Sequence, residues 1–192
     1  MINETRILVT GASGFIGSKL VKFLNKDLEF KVFRGVRTLA SNDSESDVTI
    51  DLSDITSILN LVDNYSFDVI VHLAAKVGLG GLSYEEMYTE NVLATGALGY
   101  VANKMGAKLL FGSTALVHGQ TAPKISLDIP VTTDTGYARS KYDAESLLRS
   151  ILPTVCIFRI GGVFGQNGPN HLGLNRAISE ALQGKAPTIY GK

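Results

Sequence analysis

Cysteine is nearly missing from this sequence. Cys156 stands alone among 192 residues, which excludes an internal disulfide framework and any multi-cysteine zinc site, and fits a reducing compartment. Net charge is missing as well, since eighteen Lys and Arg balance eighteen Asp and Glu. No overall field draws the chain to nucleic acid or to an anionic membrane surface, so any phosphate recognition has to be local. Long apolar runs are the third absence. None approaches the roughly 18 residues of a membrane helix, and the polar start Met1 to Arg6 has no apolar stretch of the signal-peptide kind. The expectation is a cytoplasmic protein, neither secreted nor membrane-spanning. His72, His118 and His171 lie far apart with no ligand spacing, and no metal is expected.

What is there is ordinary in amount and informative in order. With 45% hydrophobic and 19% charged residues, the chain can bury one sizeable core. Ile7-Leu8-Val9 is a short apolar run closed by Gly11, and Phe15, Ile16, Leu20, Val21, Phe23 and Leu24 follow at helical spacing. That reads as strand, tight turn, helix. Lys31 to Val36 and Val48 to Leu52 are further strand-like runs, and Ile55, Ile58, Leu59, Leu61 and Val62 mark a second helix. Val69-Ile70-Val71 is a strand, a long helix runs from about Ser83 to Lys104, and Leu109-Leu110-Phe111 opens the next strand. Gly136 to Leu152 is helical, and Val155 to Ile160 is a β-rich run holding Cys156, which is expected to be a buried, inert thiol in a central strand. Such alternation predicts an α/β fold with a doubly wound parallel sheet and helices on both faces. Gly119 to Thr135, with Pro123 and Pro130, has no period and reads as a loop of the sort that overlies active sites.

Two constellations carry chemistry. Gly11, Gly14 and Gly17, with Ser13, Phe15 and Ile16 between them, sit at the first strand-to-helix turn. There the backbone has to approach a diphosphate closely while helix N–H groups point at its charge. The spacing G-x-x-G-x-x-G is one residue longer than the usual Rossmann fingerprint. About twenty residues on, Arg34 and Arg37 stand where an acid would bind a ribose 2′-hydroxyl, and a guanidinium suits a 2′-phosphate, so NADP(H) is favoured over NAD(H). Asp51 either accepts from the adenine amino group or belongs to the N-cap of the following helix. Lys76 to Gly81, rich in glycine, either folds over the nicotinamide and substrate or is a plain surface loop. The second constellation is Tyr137 with Lys141, at i and i+4 on one helix face, where an ammonium favours the phenolate and readies it for proton transfer. Ser113 and Thr114 end a strand at the side of the sheet where ligands bind, and a hydroxyl there polarises a carbonyl.

In this order the motifs resemble the extended short-chain dehydrogenase/reductase superfamily, in its nucleotide-sugar epimerase/dehydratase branch. Thr10 to Gly17 matches that family's TGxxGxxG, Asp51-Leu52 its adenine-side acid, and His72-Leu73-Ala74-Ala75 its HLAA strand end. Asn91 matches its helix asparagine, Thr114 its catalytic Ser/Thr, Tyr137 and Lys141 its YxxxK, and Arg159 to Gly165 its R-x-x-x-x-F-G segment. The resemblance implies a cofactor site that also includes Leu52, Leu73, Ala74, Ala75, Lys76 and Asn91, and catalysis by Thr114, Tyr137 and Lys141. It implies a dinucleotide-binding domain over residues 1–160 and the beginning of a truncated substrate region over 161–192, since family members continue well beyond this point. It implies a homodimer through helices near 84–104 and 137–150. Where the family's 4,6-dehydratases have Asp-Glu after the threonine, this chain has Ala115-Leu116, and Ala115 also replaces the cysteine of its 3,5-epimerising members. What remains is 4-epimerisation of a UDP-N-acetylhexosamine type of nucleotide sugar in polysaccharide synthesis, NADPH-dependent ketosugar reduction, or a non-catalytic NADP-binding module. His118 stands in place of the family's usual tyrosine.

Overall fold

The computed structural model describes residues 4–38, 45–78, 82–119, 126, 129–170 and 172–188. His171, Pro123, residues 79–81 of the glycine-rich run and residues 189–192 of the last region lie outside the described residues.

The strands are β1 (Thr5–Thr10), β2 (Phe30–Val36), β3 (Asp47–Thr49), β4 (Val69–His72), β5 (Lys108–Thr114) and β6 (Cys156–Ile160). They form one sheet in the order β3-β2-β1-β4-β5-β6, and β1 pairs in parallel with both β2 and β4. The chain thus builds outward from β1 in one direction, returns, and builds outward from β4 in the other. Period-two alternation along β1 explains why both faces are covered. Leu8 belongs to one apolar cluster with Phe33, Ile70 and Phe111, while Ile7 and Val9 belong to another with Val21 and Val32. Helix α1 (Phe15–Leu24) covers the second face. The first is covered by α2 (Ile55–Leu59), α3 (Leu61–Asn64), α5 (Ala94–Met105) and α6 (Gly136–Ile151). Each fully buried Leu, Ile or Phe in this layer stabilises the fold by about 1.5–3 kcal/mol, so the thick side of the sandwich holds most of the stability.

The long helix expected from Ser83 to Lys104 is one run in three pieces: α4 (Tyr84–Tyr88), a π-helical turn (Thr89–Leu93) and α5. Its start is a capping box, in which the Ser83 hydroxyl accepts from Glu86 N and the Glu86 carboxylate accepts from Ser83 N at 2.8 Å. Gly96 and Gly99 let α5 lie against α6, since a Cβ on either would press into Leu147 or Leu148 at 2.5 and 2.8 Å.

Two expectations are corrected. Among the described residues β6 is the outermost strand of the sheet, and Cys156 is exposed on it beside exposed Phe158, so the thiol is neither buried nor central there. The second predicted helix breaks at Asn60 into α2 and α3, and its N-cap is Asp54, whose carboxylate accepts from Thr56 N at 2.9 Å. Asp51 instead accepts from Ser53 N at 2.9 Å and Ser53 Oγ at 2.7 Å.

The chain divides into two compact units, Met1–Arg159 and Ile160–Lys192. In the second unit, α7 (Gly173–Leu182) carries buried Asn175, whose amide accepts from Gly165 N at 2.8 Å and donates to Val163 O and Pro169 O. One side chain thereby holds the irregular segment 163–169 in shape. No helix among the described residues is long and apolar enough to cross a membrane.

Candidate active site

The sheet order reverses between β1 and β4, and open α/β sheets bind ligands at the carboxyl ends of such strands. The glycine turn lies there. Gly11 has φ 68°, a left-handed conformation that favours glycine, and Gly14 N donates to Gly11 O at 2.9 Å to close the turn. A Cβ on Gly11 would stand 2.7 Å from Ala74 N, and one on Gly17 would collide with Gly11 O. Gly14 is the N-cap of α1 and supplies no side-chain cap, so the first turn's N–H dipoles are left for an anionic ligand. The glycines are required by the turn's own close packing, which leaves the first N–H groups of α1 open to an anion such as a diphosphate.

Behind the turn runs a buried chain of hydrogen bonds that fixes the tautomer of His72. Ala74 N donates to Thr10 Oγ1 at 3.3 Å, and Thr10 Oγ1 meets His72 Nδ1 at 2.6 Å. On the far side, Thr95 donates to Asn91 O at 2.6 Å, so the proton between His72 Nε2 and Thr95 Oγ1 (3.0 Å) belongs to the histidine. The imidazole is neutral, and complete burial with Lys141 nearby pushes its pKa down to about 3. It ties the ends of β1 and β4 to the helix opposite. Among the described residues no group of three or more His, Cys, Asp or Glu is placed to hold a metal ion.

Asn91, on the π turn, is a cross-brace. Its Oδ1 accepts from Lys76 N at 2.7 Å, and its Nδ2 donates to Lys76 O at 2.9 Å and Ser140 Oγ at 3.0 Å. Ser140 in turn donates to Tyr137 O at 2.9 Å. The segment after β4 and the first turn of α6 are thereby held to one another, and π turns of this kind recur where function demands an off-register side chain.

Helix α6 starts at a Thr135 cap, whose hydroxyl accepts from Ala138 N at 3.1 Å, and this first turn carries Tyr137. Lys141, one turn further, is 1% exposed, with its Nζ 4.1 Å from the centre of the Phe111 ring. Burial pushes its pKa down to about 7, against the pull of Glu145 upward. Burial also raises the phenol of half-buried Tyr137. The expected lowering of the phenol by the ammonium is therefore outweighed here: desolvation drives both groups towards their neutral forms.

At the end of β5, Thr114 accepts from Leu116 N at 3.2 Å and caps a 3-10 turn over Ala115–His118. Its neighbour Ser113 donates to Glu145 at 2.5 Å. Glu145 is buried and also receives the Arg159 guanidinium, at 2.7 Å from Nη2, which keeps that arginine firmly protonated. Arg159 Nη1 lies 3.0 Å from His118 Nε2, and because guanidinium only donates, that nitrogen accepts. The network Ser113–Glu145–Arg159–His118 locks β5, α6 and β6 together at the end of β5, beside Thr114 in sequence.

The two arginines expected at the ribose part company. Arg34 lies within β2 and pairs through Nε with Asp47 on β3 at 2.9 Å. Arg37, just past the end of β2, meets Glu90 at 3.4 Å and acts electrostatically on Asp51. Lys76, past β4, also meets Glu90, at 3.0 Å.

Residues 7–192 match the model of the NAD dependent epimerase/dehydratase family. The chain belongs to that family. Among the relatives of this family member, UDP-glucuronate 4-epimerase of Thermodesulfobacterium geofontis is 26% identical over 207 residues, covering 96% of this chain and 64% of its own. dTDP-4-dehydrorhamnose reductase of Aggregatibacter actinomycetemcomitans is 29% identical over 168 residues, covering 86% of this chain and 54% of its own. The family member thus spans roughly half to two thirds of the length of these relatives. The structure of UDP-glucuronic acid 4-epimerase from Bacillus cereus in complex with NAD superposes with a TM-score of 0.78 at 26% identity, covering 98% of this chain and 67% of that one.

Within the family member, Gly11, Gly14, Ala74, Lys76 and Asn91 converge on the ends of β1 and β4, and Thr114, Tyr137 and Lys141 lie at the end of β5 and on one face of α6. Ser13, Phe15, Ile16 and Gly17 follow in the turn and α1, Leu73 continues β4 with its N–H on Thr10 O, and Leu52 belongs to the core beside Asp51. Sequence reading missed Glu90 and Glu145. Glu145 continues the i, i+4 series from Tyr137 through Lys141, a signal that was there to use; nothing local marks Glu90.

Proposed function

We propose that this chain is the cofactor-binding and catalytic part of an NAD(P)-dependent nucleotide-sugar enzyme, with 4-epimerisation of a UDP-linked hexose, a UDP-N-acetylhexosamine first among them, as its reaction. The observation that carries this reading is the cross-brace of Asn91, which fixes the segment beside the glycine cradle to the turn of α6 bearing Tyr137. A phosphate cradle and a tyrosine–lysine pair held in register suit a bound dinucleotide that reacts between them.

When bound, the nicotinamide supplies hydride acceptance and return at the sugar carbon. Tyr137 takes the proton from the sugar 4-hydroxyl as that carbon is oxidised and gives it back as the carbon is reduced on its other face. Thr114 holds the same oxygen by hydrogen bonding. Lys141, with its pKa near 7, gains a proton readily when a phenolate forms one turn away, so charge moves between the two side chains instead of standing isolated in a buried site. The backbone of Gly14 and the first turn of α1 carry the diphosphate, and Arg37 carries a 2′-phosphate, so NADP(H) is preferred. Arg37 favours a second reading, NADPH-dependent reduction of a ketosugar.

Residues 161–192 serve as the beginning of the substrate region. The exposed side chains Tyr88, Leu93 and Tyr100 along α4, the π turn and α5 offer an apolar stripe for a homodimer seam. The single cysteine suits a cytoplasmic setting.

The test is incubation with NAD⁺ or NADP⁺ and a panel of UDP- and dTDP-sugars, UDP-glucuronate included, and in parallel with NADPH or NADH and the 4-ketosugars, following nicotinamide absorbance and sugar stereochemistry. Isomerised sugar at constant absorbance is the expected result; consumed NADPH with a reduced ketosugar selects the second reading. Tyr137→Phe is expected to lower turnover by about 10²–10⁴ while cofactor affinity stays within threefold. Tight cofactor binding with no sugar product overturns the catalytic reading in favour of a binding module, and full turnover by Tyr137→Phe removes Tyr137 from the mechanism.

A further inference from the structure

Glu90 sits on the π turn one residue before Asn91, and its side chain is only 15% exposed. Its two carboxylate oxygens are shared between two cations: Lys76 Nζ at 3.0 Å on Oε1, and Arg37 Nη2 at 3.4 Å on Oε2. The placement of those cations in the sheet gives the arrangement its meaning. Arg37 follows β2 and Lys76 follows β4, while β1, which leads into the glycine turn, runs between those two strands. One carboxylate therefore reaches the segments on both sides of the cradle.

The two arms are unequal. Lys76 is the shorter and less exposed contact; the Arg37 side chain is 70% exposed, and its contact is long enough to be exchanged at little cost. A 2′-phosphate, carrying close to two charges and matched to a guanidinium, takes Arg37 in preference to a single carboxylate oxygen at that distance. A bare 2′-hydroxyl has no such pull. Resting on the reading that Arg37 is the 2′-phosphate ligand, we infer that Glu90 is the residue that tunes cofactor selectivity. It is a built-in anion that competes with the 2′-phosphate for Arg37, repels that phosphate from the side, and so narrows the preference for NADP(H) over NAD(H). Lys76 keeps Glu90 in place when Arg37 is taken, so the exchange leaves no buried carboxylate alone.

Equilibrium titrations with NADPH and NADH, read by nicotinamide fluorescence, test this on the full chain. Glu90→Gln is expected to tighten NADPH by about three- to tenfold and to change NADH by less than about twofold. In an Arg37→Ala background most of that change in ratio disappears. Glu90→Ala has to move the ratio in the same direction, and Glu90→Asp, which keeps the charge but withdraws it by one carbon, by less. Circular dichroism establishes that each variant is folded. A ratio that none of the Glu90 variants moves, or one that moves equally without Arg37, overturns the role of Glu90. If the wild-type preference for NADPH still falls with Arg37→Ala, the cofactor reading survives that outcome. A wild type whose affinities are equal and indifferent to Arg37→Ala removes both.

Discussion

His72 shows how much a single residue's meaning depends on partners that sequence places far away. From the chain alone it is one of three scattered histidines; in the fold it donates to Thr95, accepts from Thr10 and is wholly buried and neutral. Its pKa is lowered from 6.5 to about 3, so between those values the unfolded chain binds a proton that the folded chain refuses. The sign follows: this contribution is intact above pH 6.5 and is lost as pH falls towards 3. By pH 4 the loss is on the order of 3 kcal/mol. The urea midpoint should fall across this range, and His72→Gln, less stable at neutral pH, should show a flatter profile; identical profiles would show that the histidine is not the titrating group. Gly11, Gly14, Gly17, Tyr137 and Lys141 were legible because their spacing is itself the signal. Glu90 was not, since it acts through Arg37 and Lys76, brought to it only by the sheet order.

Helix α6 delivers the reactive side chains, and its first turn depends on one hydroxyl. Thr135→Ala removes the cap on Ala138 N and should destabilise the protein by about 1 kcal/mol, a drop of roughly 2–4 °C in Tm, with faster amide exchange at the first turn of α6. Thr135→Ser should restore both. Calorimetry and hydrogen exchange decide it, and an unchanged first turn in the alanine variant would mean that the Asn91–Ser140 brace alone holds Tyr137 in place. Most elements could be read from periodicity because their apolar faces meet one core. The π turn could not, because one extra residue in a helical run leaves the apolar pattern nearly unchanged while rotating Asn91 inward. Cys156 was misplaced for a related reason: an apolar run tells of a strand, and whether that strand ends up central or outermost is a property of the sheet.

The larger unit is built on a sheet that starts twice from its middle, and the account rests on what its reversal point holds. Sequence order conveyed the doubly wound architecture and the end of the sheet that binds, because each βαβ step has one hand and ligands follow the strand ends. It could not convey the ties across the site, which join residues far apart in the chain such as Lys76 with Asn91 and Ser113 with Glu145. The central claim, that the turn at Gly14 binds the diphosphate of a pyridine dinucleotide, has a direct test in Gly14→Asp. Gly14 has φ −71° and ψ 171° at the N-cap of α1, a conformation and position that Asp favours, while its Cβ would stand 3.2 Å from Gly11 O, so the variant should fold and melt within about 4 °C of the wild type. The added carboxylate nevertheless stands where the diphosphate has to sit. The measurement is NADPH affinity by nicotinamide fluorescence for the two proteins: the account predicts a loss of more than about 30-fold in a fully folded variant, and an affinity within threefold of wild type would contradict it.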